Sequence, residues 1–492
     1  MAGSLHFPLV TMTRRSDLKA CAAFAILCEA CHPQVRLKPD TTTDTRTTVQ
    51  RDIDSILSAP ELARGSWGVL IKSLKTGETL YSLNANKLLL PASNMKIVTL
   101  AAAAEDLGWN YTYTTSLRAG GAVLGGVLDG SLVVVGSGDP SLAAADGVAD
   151  RVFADWTSQL KAAGVRSIVG GVVGLDNPMD DEALGAGWMW DDLVEDYAAG
   201  VGALQLNEDA VRVTVSPGPA VGTSAGISVT PFPGALTIDN GVTTAAASVQ
   251  PVLRARRLPG SSRLELRGSI PLGQPPVALA VSVDNPTQFF VDALRTELIR
   301  NGISVDGPAR VASRNVQASG RPIVEYRSPP LSVLAVRLMK ISQNQYAETL
   351  YRTIGGREGV LKVLQPWGVT PTDLVQRDGS GLSRYDLVTP QALVTILAHV
   401  AGDAALKGPF EASLPVAGDL GLTNRMKGTP AEGNARAKTG SMTAVRALSG
   451  YVTGADGEPL VYSIIANNFE VEAAVINRAT DAIVVRLAQF KR

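Results

Sequence analysis

Pro91-Ala-Ser93-Asn-Met-Lys96-Ile-Val-Thr-Leu-Ala-Ala-Ala-Ala-Glu105 is the stretch whose reading decides the fold. Proline, serine and asparagine make a loop, and the alanine-rich apolar run behind them predicts a buried helix. At a helix start, residues three apart lie on one face, so Lys96 can reach the Ser93 hydroxyl. That pair gains meaning only with two later segments. Ser342-Gln-Asn344 follows an apolar helical pattern, and Lys438-Thr-Gly440-Ser441 precedes an apolar strand, giving S-x-x-K, S-x-N and K-T-G in that order.

The chemistry of the set is coherent. A lysine crowded by another cation in a partly desolvated pocket can lose its proton and act as a base, with Lys438 as that second cation. Lys438 is also a candidate holder of a substrate carboxylate. An edge strand carrying Lys-Thr-Gly-Ser can pair with an extended peptide, and Gly440 would let that peptide approach closely. Singly, each motif is weak: Ser16-Asp-Leu-Lys19, Ser158-Gln-Leu-Lys161, Ser82-Leu-Asn84, Ser313-Arg-Asn315 and Lys75-Thr-Gly77 match the same patterns. Context separates the set from these decoys, since Lys75-Thr-Gly77 runs into Glu78 within a polar turn.

Working outward, Trp67 to Leu83 reads as a β-hairpin around that turn. From about 112 to 318 the texture changes to short β-like runs between Gly, Pro and Asp turns. Helical stretches at Ala149–Ala163 and Pro286–Asn301 interrupt it. A helix is predicted from Pro329, paired strands around Ala455-Asp-Gly-Glu-Pro, and a closing helix over Val471–Lys491. The outer parts therefore form one α/β domain with a β-rich insertion between its halves.

Composition supports a globular enzyme or binding protein. Of 492 residues, 45% are hydrophobic and 18% charged, enough for a sizeable core, and the net charge is −1. With no basic surplus and few aromatics, nucleic-acid binding is not expected. The three cysteines, Cys21, Cys28 and Cys31, all lie near the N-terminus. If that stretch is removed, thiol chemistry and disulfides leave with it. Only His399 lies in the body of the chain. It reads as a structural residue on a helix flank, so a Ser-His-Asp or His-rich metal site is disfavoured. Arg14, Arg15 and Lys19 before the apolar run Ala20–Cys28 resemble an export signal, and Thr13 to Lys19 loosely resembles a twin-arginine signal. No later stretch reaches the roughly 18 apolar residues of a membrane span.

Further segments extend the pattern. They are Gly136-Ser-Gly-Asp-Pro-Ser-Leu142, Trp188 to Asn207, Asp378-Gly-Ser-Gly-Leu-Ser-Arg384, Leu414-Pro-Val-Ala-Gly418 and Ser449-Gly-Tyr451. With the three motifs, they make the chain resemble the low-molecular-mass class C penicillin-binding proteins over roughly residues 50 to 490. These are D-alanyl-D-alanine carboxypeptidases/endopeptidases of DacB type, serine peptidase family S13. Two departures are Gln343, where Asp or similar is common, and Gly421-Leu-Thr-Asn-Arg425, which replaces the family's usual Gly-Thr-Leu run.

The resemblance implies an α/β (α+β) penicillin-binding/β-lactamase-like transpeptidase domain over 51–112 and 319–492. Two β-rich domains would be inserted between S-x-x-K and S-x-N: domain II over 113–205 and 270–318, domain III over 206–269. An export leader (1–34) and a flexible tether (35–50) would precede them. By the same resemblance, Ser93 attacks the penultimate D-Ala carbonyl and Lys96 takes its proton. Ser342 passes a proton to the leaving amine with Lys438, and Asn344 orients Lys96 and the substrate amide. Lys438 and Thr439 hold the terminal carboxylate, Gly440 and Ser441 line the substrate strand, and the N–H groups of Ser93 and Ser441 form the oxyanion hole. Asp176 either faces a substrate side-chain amine or is a turn aspartate. Arg384 either lines the cleft or braces the Asp378 turn. Tyr197 reads as a packed core tyrosine.

No metal or organic cofactor is implied. The expected partners are peptidoglycan stem peptides ending in D-Ala-D-Ala or D-Ala cross-links, and β-lactam antibiotics. A homo-oligomer is left open, and a periplasmic or extracytoplasmic location is expected. Two rivals stand beside this reading. One is a serine β-lactamase, which the long gap between Ser93 and Ser342 disfavours. The other is a catalytically silent wall-binding protein on the same fold.

Overall fold

The computed structural model describes residues 41–143, 147–175, 183–312, 320–419, 421–422 and 424–492. Asp176 and the whole leader, 1–34, lie outside the described residues.

A five-stranded antiparallel sheet organises the outer halves of the chain. Its order is Thr79–Leu83, Ser66–Ser73, Pro459–Asn467, Val445–Thr453 and Arg436–Met442. Alternate residues of a strand point to opposite faces, and here both faces are buried. Leu70, Ala447, Val461 and Ile465 pack with the helices Met95–Leu107, Leu331–Lys340 and Pro390–Gly402. Val69, Ile71, Leu448, Tyr462 and Ile464 pack with Val49, Ile53, Ile476 and Ile483 on the other side. The result is a helix–sheet–helix sandwich. The helix that Pro91–Glu105 predicts runs Met95–Leu107, and every residue from Met95 to Ala104 is buried. Each large aliphatic side chain so buried contributes about 1.5–3 kcal/mol.

The flexible tether expected over 35–50 is corrected where it is described: a helix spans Thr41–Leu57, and 35–40 lie outside the described residues. Val49 and Ile53, one turn apart, are fully buried against the C-terminal helix Ala473–Ala488, and Arg486 Nε donates to Asp52 Oδ2 at 2.5 Å. A polar composition hid this one-sided apolar stripe.

The inserted segment builds its own sheets. One joins Arg310–Val311, Val172–Leu175, Leu132–Gly136, Thr114–Ala119 and Arg321–Arg327. Two three-stranded sheets come from residues 210–282. Domain edges move accordingly. The expected boundary at 269/270 falls inside the strand Arg263–Pro271, and Val277–Ser282 pairs with Ala210–Ser216. The strand Arg321–Arg327 pairs with Thr114–Ala119, so it belongs to the insertion rather than to the second half of the sandwich. One continuous core, including Phe153, Trp156, Phe290, Val213 and Leu266, runs beneath both groups of sheets. Pairing partners distant in sequence fixed these edges, and texture alone does not show them.

Candidate active site

The sandwich brings the three motifs to one cleft. Ser93 sits in a tight turn, Ala92–Asn94, immediately ahead of the buried helix. Ala92 has a φ of +45°, in the left-handed region where a side chain is strained. Two glycines make this turn possible. A Cβ on Gly381 (φ +83°) would meet the Ala92 carbonyl oxygen at 1.9 Å, and one on Gly440 would meet the Pro91 carbonyl oxygen at 2.4 Å. Gly440 is therefore needed for the nucleophile turn to seat against the strand Arg436–Met442, a different reason from the expected room for substrate. Asn94 Nδ2 donates to the Lys438 carbonyl at 2.9 Å and ties the two together.

Lys96 is wholly buried beneath Ser93. Its Nζ lies 2.9 Å from Ser93 Oγ, 2.6 Å from Asn344 Oδ1 and 3.0 Å from the Ser380 carbonyl. Burial pushes it down from 10.5 to about 7, against the Asp378 and Glu348 carboxylates, which favour its charge. A neutral amine with a hydroxyl at hydrogen-bond distance is a competent base. Asn344 is oriented from both ends, since its Nδ2 donates to the Tyr197 carbonyl at 2.7 Å.

Lys438 is equally buried, and its Nζ donates to Ser342 Oγ at 2.9 Å and to the Thr439 carbonyl at 3.0 Å. Burial first, and then the charge of Lys96, holds it well below an ordinary lysine. Of the two expected causes for Lys96, desolvation is the one that acts, and crowding is felt by Lys438 instead. Ser342 itself has a φ of +63°. Gln343 caps the following helix, accepting from Gln345 N at 3.1 Å, and its side chain takes that part rather than a chemical one.

Ser93, Ser342, Asn344, Arg384, Thr439 and Ser441 line a cleft of about 330 Å³. The strand Arg436–Met442 is the sheet edge beside it. Arg384 donates to the Thr443 carbonyl at 3.1 Å and leaves Asp378 to other donors, namely Gly381 N, Ser383 N and Trp188 Nε1. Tyr197 is corrected: it is 42% exposed on the cleft rim, because its carbonyl must meet Asn344 while its hydroxyl donates to Asp192 at 2.8 Å. His399 stacks on Trp367 with ring centroids 4.0 Å apart, away from the motifs.

Residues not singled out in the sequence also take part. Asp192, Leu382, Met442 and Thr443 line the cleft. Beneath it, Glu348 accepts from Gly379 N and Ser380 N and so aims the Ser380 carbonyl at Lys96. Burial, and then Asp378, pushes Glu348 up to about 7. Glu348 lies four residues after Asn344 on one helix face, a spacing that could have revealed it. Among the described residues no cluster of His, Cys, Asp and Glu could hold a metal ion.

Known proteins resemble this chain over most of its length. The model of the D-Ala-D-Ala carboxypeptidase 3 (S13) family matches residues 49–490. A D-alanyl-D-alanine carboxypeptidase from Actinomadura sp. (strain R39) is 36% identical over 470 residues, covering 90% of this chain and 85% of the relative. The D-alanyl-D-alanine carboxypeptidase DacB of Haemophilus influenzae is 26% identical, covering 82% and 85%. The crystal structure of penicillin binding protein 4 from Haemophilus influenzae superposes with a TM-score of 0.78 at 24% identity, covering 89% of this chain and 99% of that one.

Proposed function

Because the chain belongs to the D-Ala-D-Ala carboxypeptidase 3 (S13) family, we propose that it cleaves D-Ala-D-Ala peptide ends, or D-Ala cross-links, through an acyl-enzyme on Ser93. It is a serine-type peptidase. The observation that carries the residue assignment is the buried Lys96 amine, held at about 7 and 2.9 Å from Ser93 Oγ.

The peptide would lie along the sheet edge at Thr439–Met442, its scissile carbonyl oxygen between the N–H groups of Ser93 and Ser441. Neutral Lys96 takes the Ser93 proton as Oγ bonds to the carbonyl carbon. Ser342 then gives its hydroxyl proton to the leaving nitrogen as the C–N bond breaks, and the Lys438 ammonium restores it. Before and after this half-reaction the lysine pair carries one positive charge. That suits two buried amines, of which one depresses the other. Water releases the acyl group by the reverse proton path. Lys438 is buried, so the terminal carboxylate meets the Thr439 and Ser441 hydroxyls with the ammonium beneath them. Asp192, on the cleft rim, is an acid that would face a side-chain amine of the peptide. Arg384 offers an anion contact on the same rim.

Such peptides belong to the cell wall, so the protein would act outside the cytoplasm. No helix among the described residues is long and apolar enough to cross a membrane. Intact-mass spectrometry after incubation with benzylpenicillin tests the assignment. A stable adduct on Ser93, absent from Ser93→Ala, is expected. No adduct on folded protein overturns it, and rapid penicillin turnover without accumulation favours a β-lactamase.

A further inference from the structure

One turn of the insertion reaches into the catalytic half at the S-x-N segment. Asn207, Glu208 and Asp209 have φ values of +53°, +57° and +51°, three consecutive non-glycine residues in the left-handed region. Single residues visit that region, and runs of them are strongly disfavoured. The surrounding bonds hold the run in place. Asn207 N donates to the Leu142 carbonyl at 2.7 Å, Asn207 Nδ2 to the Ala210 carbonyl at 2.7 Å, and Val283 N to the Asp209 carbonyl at 2.8 Å.

The strained turn presents its side chains to the residues flanking Ser342 and Asn344. Asp209 is fully buried; one oxygen accepts from Leu206 N at 3.1 Å and the other from Gln345 Nε2. Gln345, also buried, follows Asn344 directly, and its amide oxygen has no hydrogen-bond partner among the described residues. Glu208 pairs with Arg337, in the last turn of the helix that delivers Ser342. Between them lies Ser342, itself at φ +63°. Strain persists where the surroundings over-determine it, and it clusters where geometry must be exact to fractions of an ångström.

We propose that Asp209 is a positioning residue for the reaction: through Gln345 it fixes Asn344 against Lys96 and Ser342 against Lys438. The inference rests on the acyl-enzyme reading above. It gives the insertion a part in catalysis, since the turn that sets the motif belongs to it. The amide carries the coupling, because a buried carboxylate and a buried amide donor meet at one point.

The test measures benzylpenicillin acylation of the full chain, separating the binding constant from the acylation rate constant, with melting temperature and acylatable fraction recorded. Wild type must acylate; if it does not, the acyl-enzyme reading fails and not the positioning. Asp209→Ala and Gln345→Ala should each slow acylation between about 10- and 100-fold, with binding unchanged and the full fraction reactive. Their double variant should be no slower than the slower single one. Asp209→Asn should recover most of the rate, since Gln345 can turn its unpaired oxygen toward the new amide. If Asp209→Ala does not fold, Gln345→Ala carries the same expectation. Wild-type rate constants in folded Asp209→Ala or Gln345→Ala would overturn the proposal, and so would single effects that simply add.

Discussion

The two sides of the cleft floor hold the same residue type in different company. On the side of the nucleophile turn, Lys96 has three oxygen partners and two carboxyl groups nearby, Asp378 and Glu348. On the side of the edge strand, Lys438 has a hydroxyl and a carbonyl, and among the described residues the ionic influence on it is the charge of Lys96. Both are wholly buried. Desolvation pulls both amines down, and the carboxylates stop Lys96 at about 7, where an amine can accept a proton and keep it for a step. Lys438 lacks such carboxylates, and burial and the charge of Lys96 hold it down, so the two buried amines favour a single shared proton. In the proposed reaction one side takes a proton and the other gives one.

Removing the acceptor should break this division most completely. Lys96→Ala leaves Ser93 without a base, and acylation by benzylpenicillin should fall by about 10³-fold or more. Lys438→Ala leaves Ser93 and Lys96 in place and removes the donor beneath Ser342. It should cost about 10²-fold, mainly in the acylation rate constant. Stopped-flow acylation of both variants ranks the two sides. If Lys438→Ala is the more damaged, the roles are reversed.

Much of this division was legible in the sequence, and the part that was not has a physical reason. Ser93, Lys96, Ser342, Asn344 and Lys438 lie in short motifs whose spacing belongs to helices and strands, and the structure brings all five together. The apolar run from Leu460 to Ala466, expected as one of two strands around the Ala455-Asp-Gly-Glu-Pro turn, is likewise a strand, Pro459–Asn467. What tunes the lysines comes from loops: Asp378 and the Ser380 carbonyl, and the Tyr197 and Trp188 rim, approach through tertiary folding alone. The helix Thr41–Leu57 was missed because threonines, aspartates and arginines outnumber its few apolar residues. Tyr197 was misplaced because aromatic identity does not say which of its atoms is needed, and here the carbonyl is.

The acid limb of the acylation profile sharpens the comparison further. If neutral Lys96 is the base, the acid limb of the rate rises with pH toward about 7. The Glu348 carboxylate favours the charged amine, so Glu348→Gln should lower the Lys96 value and move the limb to lower pH. The shift should be at most about one unit, because Glu348 is itself raised to about 7 and is partly neutral there. A limb that moves upward would overturn this role, since losing either the Glu348 charge or the aim of the Ser380 carbonyl disfavours the Lys96 ammonium.

The smallest expected effect lies on the rim, where Asp192 faces the cleft and accepts from the Tyr197 hydroxyl. Its carboxylate can meet a cationic side chain of the peptide without touching the reacting atoms. Asp192→Asn keeps the size and the hydrogen bond and removes the charge. For peptides carrying a free side-chain amine before D-Ala-D-Ala, KM should rise about tenfold with kcat little changed, as expected for the loss of one charge-assisted contact. Benzylpenicillin has no amine to place there, so its acylation should be unaffected. Equal losses for amine-bearing and acetylated peptides would show that Asp192 serves Tyr197, and through its carbonyl Asn344, rather than the substrate. The rim would then belong to the Lys96 side of the cleft floor.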